Sequence, residues 1–291
     1  MKHGKTLVVG IGEVGGALAR VLERSGPVLK HDLETRDFAD PIGVMHICIP
    51  YKSSAQFEPS ALSYIERFKP ALTIINSTVV PGTTRAIAAK SGRAVAYSPV
   101  RGKHVRMTED MLHYAKFVAA PDRGAVHDAE EHFRAAGMKI RRVSEVETLE
   151  LAKLAETTYF GVMIAFAQEL NRYVKQVGGD YFETLDFFDE ISFLPRTRYY
   201  PGFIGGHCVI PNIHLLKQLH SAPLLEAVLD SNDQRAAEND AAGSQPGAPD
   251  ANGDAAHIRT EGAAAATDTG SGEAGESRKG RKTNGKPHAG R

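Results

Sequence analysis

Lys5-Thr6-Leu7-Val8-Val9 is an apolar run of strand length, and it leads without interruption into Gly10-Ile11-Gly12-Glu13-Val14-Gly15 and a helical pattern reaching Arg24. No other stretch limits the fold as much. Three glycines at this spacing, after a strand and opening a helix, let backbone amides and the positive helix end approach a pyrophosphate. Gly10, Gly12, Glu13, Val14 and Gly15 are therefore the candidate phosphate-side contacts. A second strand, Val28–His31, ends at Asp32, about twenty residues beyond the fingerprint. A carboxylate there accepts hydrogen bonds from ribose hydroxyls and repels a 2′-phosphate, which predicts NAD rather than NADP. The alternative is a βαβ unit that binds no dinucleotide.

The alternation continues. Strands are expected at Val44–Ile49, Leu72–Ile75, Ala94–Tyr97, Lys116–Ala119 and Lys139–Val143, with helices at Ala55–Phe68, from Thr83 to Lys90, and at Ala125–Ala136. Repeated β–α alternation predicts an α/β fold whose residues 1–143 form a Rossmann-type, doubly wound, mostly parallel sheet. Ligands bind such sheets at the carboxyl ends of the strands. Pro50, Thr78 and Pro99 would emerge there beside Gly10 and Asp32.

Ser144-Glu145-Val146-Glu147 reads as a capping box opening the longest helix, Val146–Val177. Its centre, Gly161 to Ala167, is apolar nearly all round. A lone surface helix keeps a polar stripe, so a partner subunit is expected to cover part of this one, giving a homodimer. Gly178-Gly179 stops it. Asp180–Tyr200 holds one short helix and a basic loop with Arg196 and Arg198, and two more helices follow at Ile213–His220 and Pro223–Asp233. Residues 144–235 are thus an all-α domain. Residues 236–291, rich in Ala, Gly, Asp and Ser, cannot bury enough apolar surface to offset ordering and read as a disordered tail. The basic cluster Arg278–Lys282 in that tail is read as solvated rather than as a nucleic-acid contact.

The chain carries 35 Lys+Arg against 35 Asp+Glu, so no net field calls for nucleic acid or an anionic membrane. Its two cysteines lie far apart and form no disulfide framework, and no metal site is expected. No signal-peptide pattern and no run long enough to span a bilayer is present, which predicts a soluble, cytoplasmic protein. Cys48 sits in an apolar run and reads as a buried strand residue. Cys208, in Gly205-Gly206-His207-Cys208, differs. Glycines there open the backbone to a ligand, and a thiol so placed can attack a carbonyl if a neighbouring cation favours the thiolate. A small apolar cysteine in a tight turn is the other reading of the local pattern.

Four blocks in order carry a resemblance: Gly10–Gly15; Ser77-Thr78-Val79-Val80-Pro81-Gly82-Thr83; Glu147-Thr148-Leu149-Glu150-Leu151-Ala152-Lys153-Leu154-Ala155-Glu156; and Gly205–Cys208. The chain resembles the UDP-glucose/GDP-mannose dehydrogenase family, in particular its UDP-N-acetylmannosamine dehydrogenase-like branch, from the N-terminus to about Arg235. The resemblance implies two successive hydride transfers to NAD, taking a sugar alcohol through an aldehyde to an acid. It implies Cys208 as nucleophile, Lys153 as stabiliser of the developing oxyanion, and Thr78 as a residue that positions water. A snorkelling surface lysine and a turn-capping threonine are the alternatives for the last two.

Departures from the family pattern matter. Val100 stands where the family has glutamate, Thr157 where it has asparagine, and Asn212 where it has aspartate. Phe203 also breaks the glycine loop, and a low-complexity tail stands where the family continues into a nucleotide-sugar-binding domain. Asn212 and Thr157 are accordingly site positions with altered chemistry, and Glu109 or Asp110 is the nearest substitute base. The expectation is an NAD-dependent oxidoreductase of a sugar nucleotide or related polyol, impaired or altered in its second oxidation. Two alternatives stand beside it: a β-hydroxyacid or phosphogluconate type of dehydrogenase using Lys153, and a non-catalytic NAD-binding sensor or assembly protein.

Overall fold

The computed structural model describes residues 4–32, 38–102, 106–193, 198–220, 222–241 and 257–258. Five strands, β1 (Lys5–Val9), β2 (Val28–His31), β3 (Ile42–Ile47), β4 (Leu72–Ile75) and β5 (Val95–Tyr97), form a parallel sheet in the order β2-β1-β3-β4-β5. The chain leaves β1 for β2 on one side and returns to β3 on the other, so the direction of winding reverses at β1. The register aligns Val9 with His31 and Ile47, Ile47 with Ile75, and Ile75 with Tyr97. Gly10, Asp32, Cys48, Asn76 and Ser98 consequently follow one another along a single carboxyl edge.

Helices α1 (Glu13–Leu22), α2 (Ser54–Phe68) and α3 (Thr83–Ser91) connect these strands. Beyond β5 come α4 (Met107–His113), β6 (Lys116–Val118), α5 (Arg123–Ala135) and β7 (Ile140–Arg142). β6 and β7 pair in parallel, and mutual hydrogen bonds between Tyr97 and Ala119 join that pair to β5 in the antiparallel sense. Two apolar layers cover the two sheet faces. One contains Leu18, Leu22, Ile74 and Phe133; the other contains Leu7, Met45, Ile47, Ile65 and Tyr97. α4 was not expected from sequence, because a seven-residue helix shows too few turns to display a period.

The second half is built on α6 (Val146–Gln176), a 31-residue helix about 46 Å long. Its first turn belongs to the sheet domain, since Val146 and Leu149 lie in the same apolar layer as Ile75, Val95 and Tyr97. Its middle packs against α8 (Val209–Leu219) and α9 (Pro223–Ala241), and its end against α7 (Tyr181–Asp189). The capping box does not form. Glu145 is the N-cap without a side-chain bond, and Glu147 instead accepts from Arg85 Nη2 of α3 at 2.9 Å. α9 runs eight residues past the expected end at Asp233, because Arg235 and Glu238 are engaged in it: Glu238 accepts from Arg172 Nε of α6 at 2.6 Å. β8 (Arg198–Tyr199) and β9 (His257–Ile258) pair in the antiparallel sense. Arg196 and the cluster 278–282 lie outside the described residues. Among those described, no helix is long and apolar enough to cross a membrane.

Candidate active site

The glycine loop fits a dinucleotide on three observations. Gly10 has φ +84°, and a Cβ there would meet the Cys48 backbone at 2.9 Å. A Cβ on Gly15 would lie 1.8 Å from the Gly10 carbonyl oxygen, so no side chain is tolerated. Gly12 is the opposite case: nothing lies within 4 Å of a Cβ placed there. Gly12 is also the N-cap of α1 and makes no side-chain capping bond. An open space faces the helix start, where the first N–H groups lack intrahelical acceptors. Asp32 is exposed one residue beyond β2, and Pro50 is exposed beyond β3.

Thr78 follows β4 at the same edge and is half-buried. Its loop is tied on both sides. Ser77 Oγ donates to the Ile49 carbonyl at 2.6 Å. The Glu150 carboxylate of α6 accepts from the backbone N–H groups of Gly82 at 2.6 Å and Thr84 at 2.8 Å. Burial raises the Glu150 pKa, and those hydrogen bonds oppose the rise.

Cys208 is half-buried at the N-cap of α8. Gly161 of α6 allows this placement, since a Cβ there would meet Val209 Cγ1 at 2.8 Å and Ile213 Cδ1 at 3.1 Å. The thiol shares its electrostatic surroundings with Lys153, Glu13 and Glu156. Burial raises its pKa most, Lys153 lowers it, and the two glutamates raise it. The expected cation is present, yet desolvation outweighs it and the Cys208 pKa is raised. Lys153 is mostly buried, with Nζ 2.9 Å from Glu156 Oε2. His207 Nε2 stands 3.4 Å from Glu13 Oε2 and joins the cysteine loop to the glycine loop. Cys48, by contrast, is pushed by burial to about 12, as suits a structural thiol.

The two altered positions touch each other. Asn212 Nδ2 donates to Thr157 Oγ1 at 3.0 Å, and Thr157 Oγ1 donates back to the α6 carbonyls of Lys153 and Leu154. Val100 is buried in the apolar layer with Met107 and Met111. Asp110 is buried on α4 with Arg106 Nη2 3.6 Å away, while Glu109 is exposed.

Sequence reasoning missed Lys116. Its Nζ is buried and donates to the carbonyls of Ser98 at 2.8 Å and Pro99 at 2.9 Å, the residues leading to Val100. Its pKa is lowered to about 7, chiefly by desolvation, with Cys48 opposing and Lys153 and Arg101 adding to the fall. Behind it Asn76 contacts His46 Nδ1 at 3.1 Å, and His46 Nε2 lies 2.8 Å from His132 Nε2. A lysine opening a three-residue strand gives no sequence signal that it points inward.

Residues 147–234 match the UDP-glucose/GDP-mannose dehydrogenase family, central domain. A UDP-N-acetyl-D-mannosamine dehydrogenase of Pyrococcus horikoshii is 28% identical over 176 residues, covering 53% of this chain and 41% of that protein. One from Methanocaldococcus jannaschii is 26% identical over 179 residues, covering 58% and 42%. The chain thus spans about two fifths of the length of these relatives. Among solved structures, the P. horikoshii UDP-D-ManNAc dehydrogenase superposes with a TM-score of 0.71 at 20% identity, over 81% of this chain and 70% of that one. A 3-hydroxyisobutyrate dehydrogenase of Mycobacterium tuberculosis gives 0.63 at 14% identity, over 89% and 97%. At these identities the structural likeness speaks for the fold.

Proposed function

We propose that the chain is an NAD-dependent oxidoreductase acting on the CH–OH group of a sugar nucleotide or related polyol, because residues 147–234 match the UDP-glucose/GDP-mannose dehydrogenase family, central domain, behind a Rossmann-type sheet. The observation that carries this reading is the convergence at Cys208: one thiol feels both Lys153 of α6 and Glu13 of the glycine loop. Nucleophile, cation and dinucleotide loop meet where a hydride acceptor and a carbonyl would have to meet. NAD, when bound, takes up hydride. Gly10, Gly12, Glu13, Val14 and Gly15 hold its phosphates, Asp32 its ribose, and Pro50 and Thr78 line the same edge.

On this reading Cys208 captures the aldehyde as a thiohemiacetal, which a second oxidation converts to a thioester. Lys153 stabilises the oxygen that becomes negative in that attack. Nearness of Lys153 favours the thiolate against the burial that opposes it. Acid release needs a base to activate water. Asn212 carries a neutral amide already bonded to Thr157, and Val100 has no ionisable group and is packed among methionines. Loss of one positioned base costs roughly 10²- to 10⁴-fold, so we infer slow thioester hydrolysis. Asp110 is a poor substitute, being buried and paired with Arg106 Nη2 at 3.6 Å.

The test is NADH formation against a panel of sugar nucleotides, sugar phosphates and hydroxy acids, with Cys208→Ser in parallel. Intact mass after incubation with NAD and a productive aldehyde should show an adduct that Cys208→Ala lacks. Full activity in Cys208→Ser favours the hydroxyacid-dehydrogenase reading, in which Lys153 alone serves as acid and base. Rapid two-equivalent NADH production with free acid overturns the inferred slow step, and tighter NADP than NAD binding overturns the role of Asp32.

A further inference from the structure

Lys116 is buried at the ligand-binding edge of the sheet and has no task in the reaction proposed above. Its place follows from chain direction. β6 meets β5 in the antiparallel sense through Tyr97 and Ala119, so β6 begins at the edge where the parallel strands end. Ser98 Oγ donates to the Phe117 carbonyl at 2.7 Å and fixes that register. The Lys116 side chain is thereby turned in behind the ends of β4 and β5. Its Nζ donates to the carbonyls of Ser98 and Pro99 and lies 3.5 Å from Asn76 Oδ1.

All three acceptors are neutral. The charged groups that face Lys116 are Arg101 beyond β5 and Lys153 of α6, both cations, and Cys48 beyond β3, whose thiol burial holds at about 12. His46 of β3 also faces it, with His132 of α5 behind, and burial lowers the pKa of both imidazoles. The Phe133 ring of α5 lies 5.3 Å from Nζ. No carboxylate acts on Lys116 among the described residues. An ammonium here is held only by dipoles, so a further positive charge nearby readily drives its proton off.

Two neighbours set Lys116 beside the cofactor's path. Cys48 lies under the glycine loop, where a Cβ on Gly15 would stand 3.2 Å from Cys48 Cβ. Lys153, on the other side, also acts on Cys208. The loop that holds the phosphates and the thiol that marks the reacting carbon thus each share a neighbour with Lys116. The redox-active ring of a dinucleotide has to lie between that loop and that thiol.

We propose that Lys116 is a specificity-determining residue for the oxidation state of the cofactor, its ammonium disfavouring the cationic ring of NAD⁺ and accepting the neutral ring of NADH. The proposal rests on the dinucleotide reading of the glycine loop. NAD⁺ and NADH share phosphates, riboses and adenine and differ by one charge at the ring, so the ratio of their affinities isolates that charge. Coupling is reciprocal: bound NAD⁺ drives the proton off Lys116, and NADH lets it return. With its pKa lowered to about 7, Lys116 changes charge near neutral pH, and the preference between the two forms turns there. Oxidation of an alcohol passes a hydride to the ring and sets free one proton, and Lys116 binds a proton in return as the ring loses its charge.

Dissociation constants of NAD⁺ and NADH, measured on the full chain from pH 6 to 9 without substrate, test this. The ratio of the NAD⁺ constant to the NADH constant should fall several-fold as pH rises through 7. Lys116→Gln keeps donors for the Ser98 and Pro99 carbonyls but carries no charge, and its ratio should be flat with pH; so should that of Lys116→Met. In the wild type, calorimetry at pH 7 in buffers of different ionisation enthalpy should show more protons released on binding NAD⁺ than on binding NADH. A wild-type ratio that does not move with pH, while both nucleotides bind, overturns the proposal alone. So does a pH dependence that survives in both Lys116 variants and disappears in His207→Gln. Failure of either nucleotide to bind at any pH overturns the dinucleotide reading and the proposal with it.

Discussion

His207 Nε2 lies 3.4 Å from Glu13 Oε2, so the residue beside Cys208 meets the carboxylate of the glycine loop. Both side chains are largely exposed, and an exposed pair of this kind contributes between nothing and about 1 kcal/mol. Its importance is one of position. Glu13 and Lys153 approach the same thiol from different halves of the molecule and act on it with opposite signs.

Alkylation of Cys208 by iodoacetamide across a pH series reads that opposition. Removing the negative charge in Glu13→Gln should shift the midpoint to lower pH, and removing the positive charge in Lys153→Met should shift it to higher pH. Cys48, pushed to about 12, stays unreactive over the same range. Shifts of one sign in both variants would show that the thiol does not sit between these two charges.

Lys116 should leave a mark on stability. Its folded pKa is lowered to about 7, against an ordinary value of about 10.4 in the unfolded chain. Between those values the unfolded chain binds a proton here that the folded chain does not, so stability rises with pH. The limiting slope from one such group is about 1.4 kcal/mol per pH unit. Urea unfolding at pH 7, 8 and 9 should show this rise in the wild type and a flatter profile in Lys116→Met. Equal slopes in the two proteins would mean that Lys116 keeps its proton when folded.

Gly161→Ala sets two effects against each other. Helix propensity favours alanine by about 1 kcal/mol, but the new Cβ would meet Val209 Cγ1 at 2.8 Å. A valine methyl sits on a stiff, short side chain and cannot swing clear. Overpacking of this kind costs about 1–3 kcal/mol, so the variant should be net destabilised and α8, which begins at Cys208, displaced. A higher Tm in Gly161→Ala would show that α6 and α8 yield more easily than that.

Tyr159, Phe166 and Tyr173 are spaced by seven residues on α6 and are 57%, 55% and 65% exposed. Seven residues are nearly two turns, which places the three rings along one line. Sedimentation at micromolar concentration should show a homodimer, and Phe166→Glu with Tyr173→Glu should convert it to a monomer. A monomeric wild type would leave this aromatic line without the expected cover.

The strands were readable because their signal is local. β1, β2 and β4 fall on the expected residues, since buried parallel strands are short apolar runs between glycine and proline punctuation. The long helix was readable from its apolar centre and from Gly178-Gly179, although the capping box read at its start does not form. What sequence did not reveal depends on which distant residue fills a space. Lys116 points inward because the carbonyls of Ser98 and Pro99 await it there, and Glu147 leaves its own helix end because Arg85 is nearer. The loop that carries Cys208 was legible as a candidate site, but the balance between the burial of its thiol and three charges was not.

The first turn of α6 is set into the sheet domain by Val146, Leu149 and Glu150, while its last turns carry the helical half. A hinge requires a few residues free to absorb large changes of φ and ψ, and here the covalent junction is an uninterrupted rod anchored at both ends. Any closing of the glycine loop onto the cysteine loop must therefore come from sliding at the α3–α6 contact or from bowing of the rod itself. A helix of this stiffness makes such travel small. The molecule is framed like a beam built into two walls, and the gap between its glycine and cysteine loops is largely set when the chain folds.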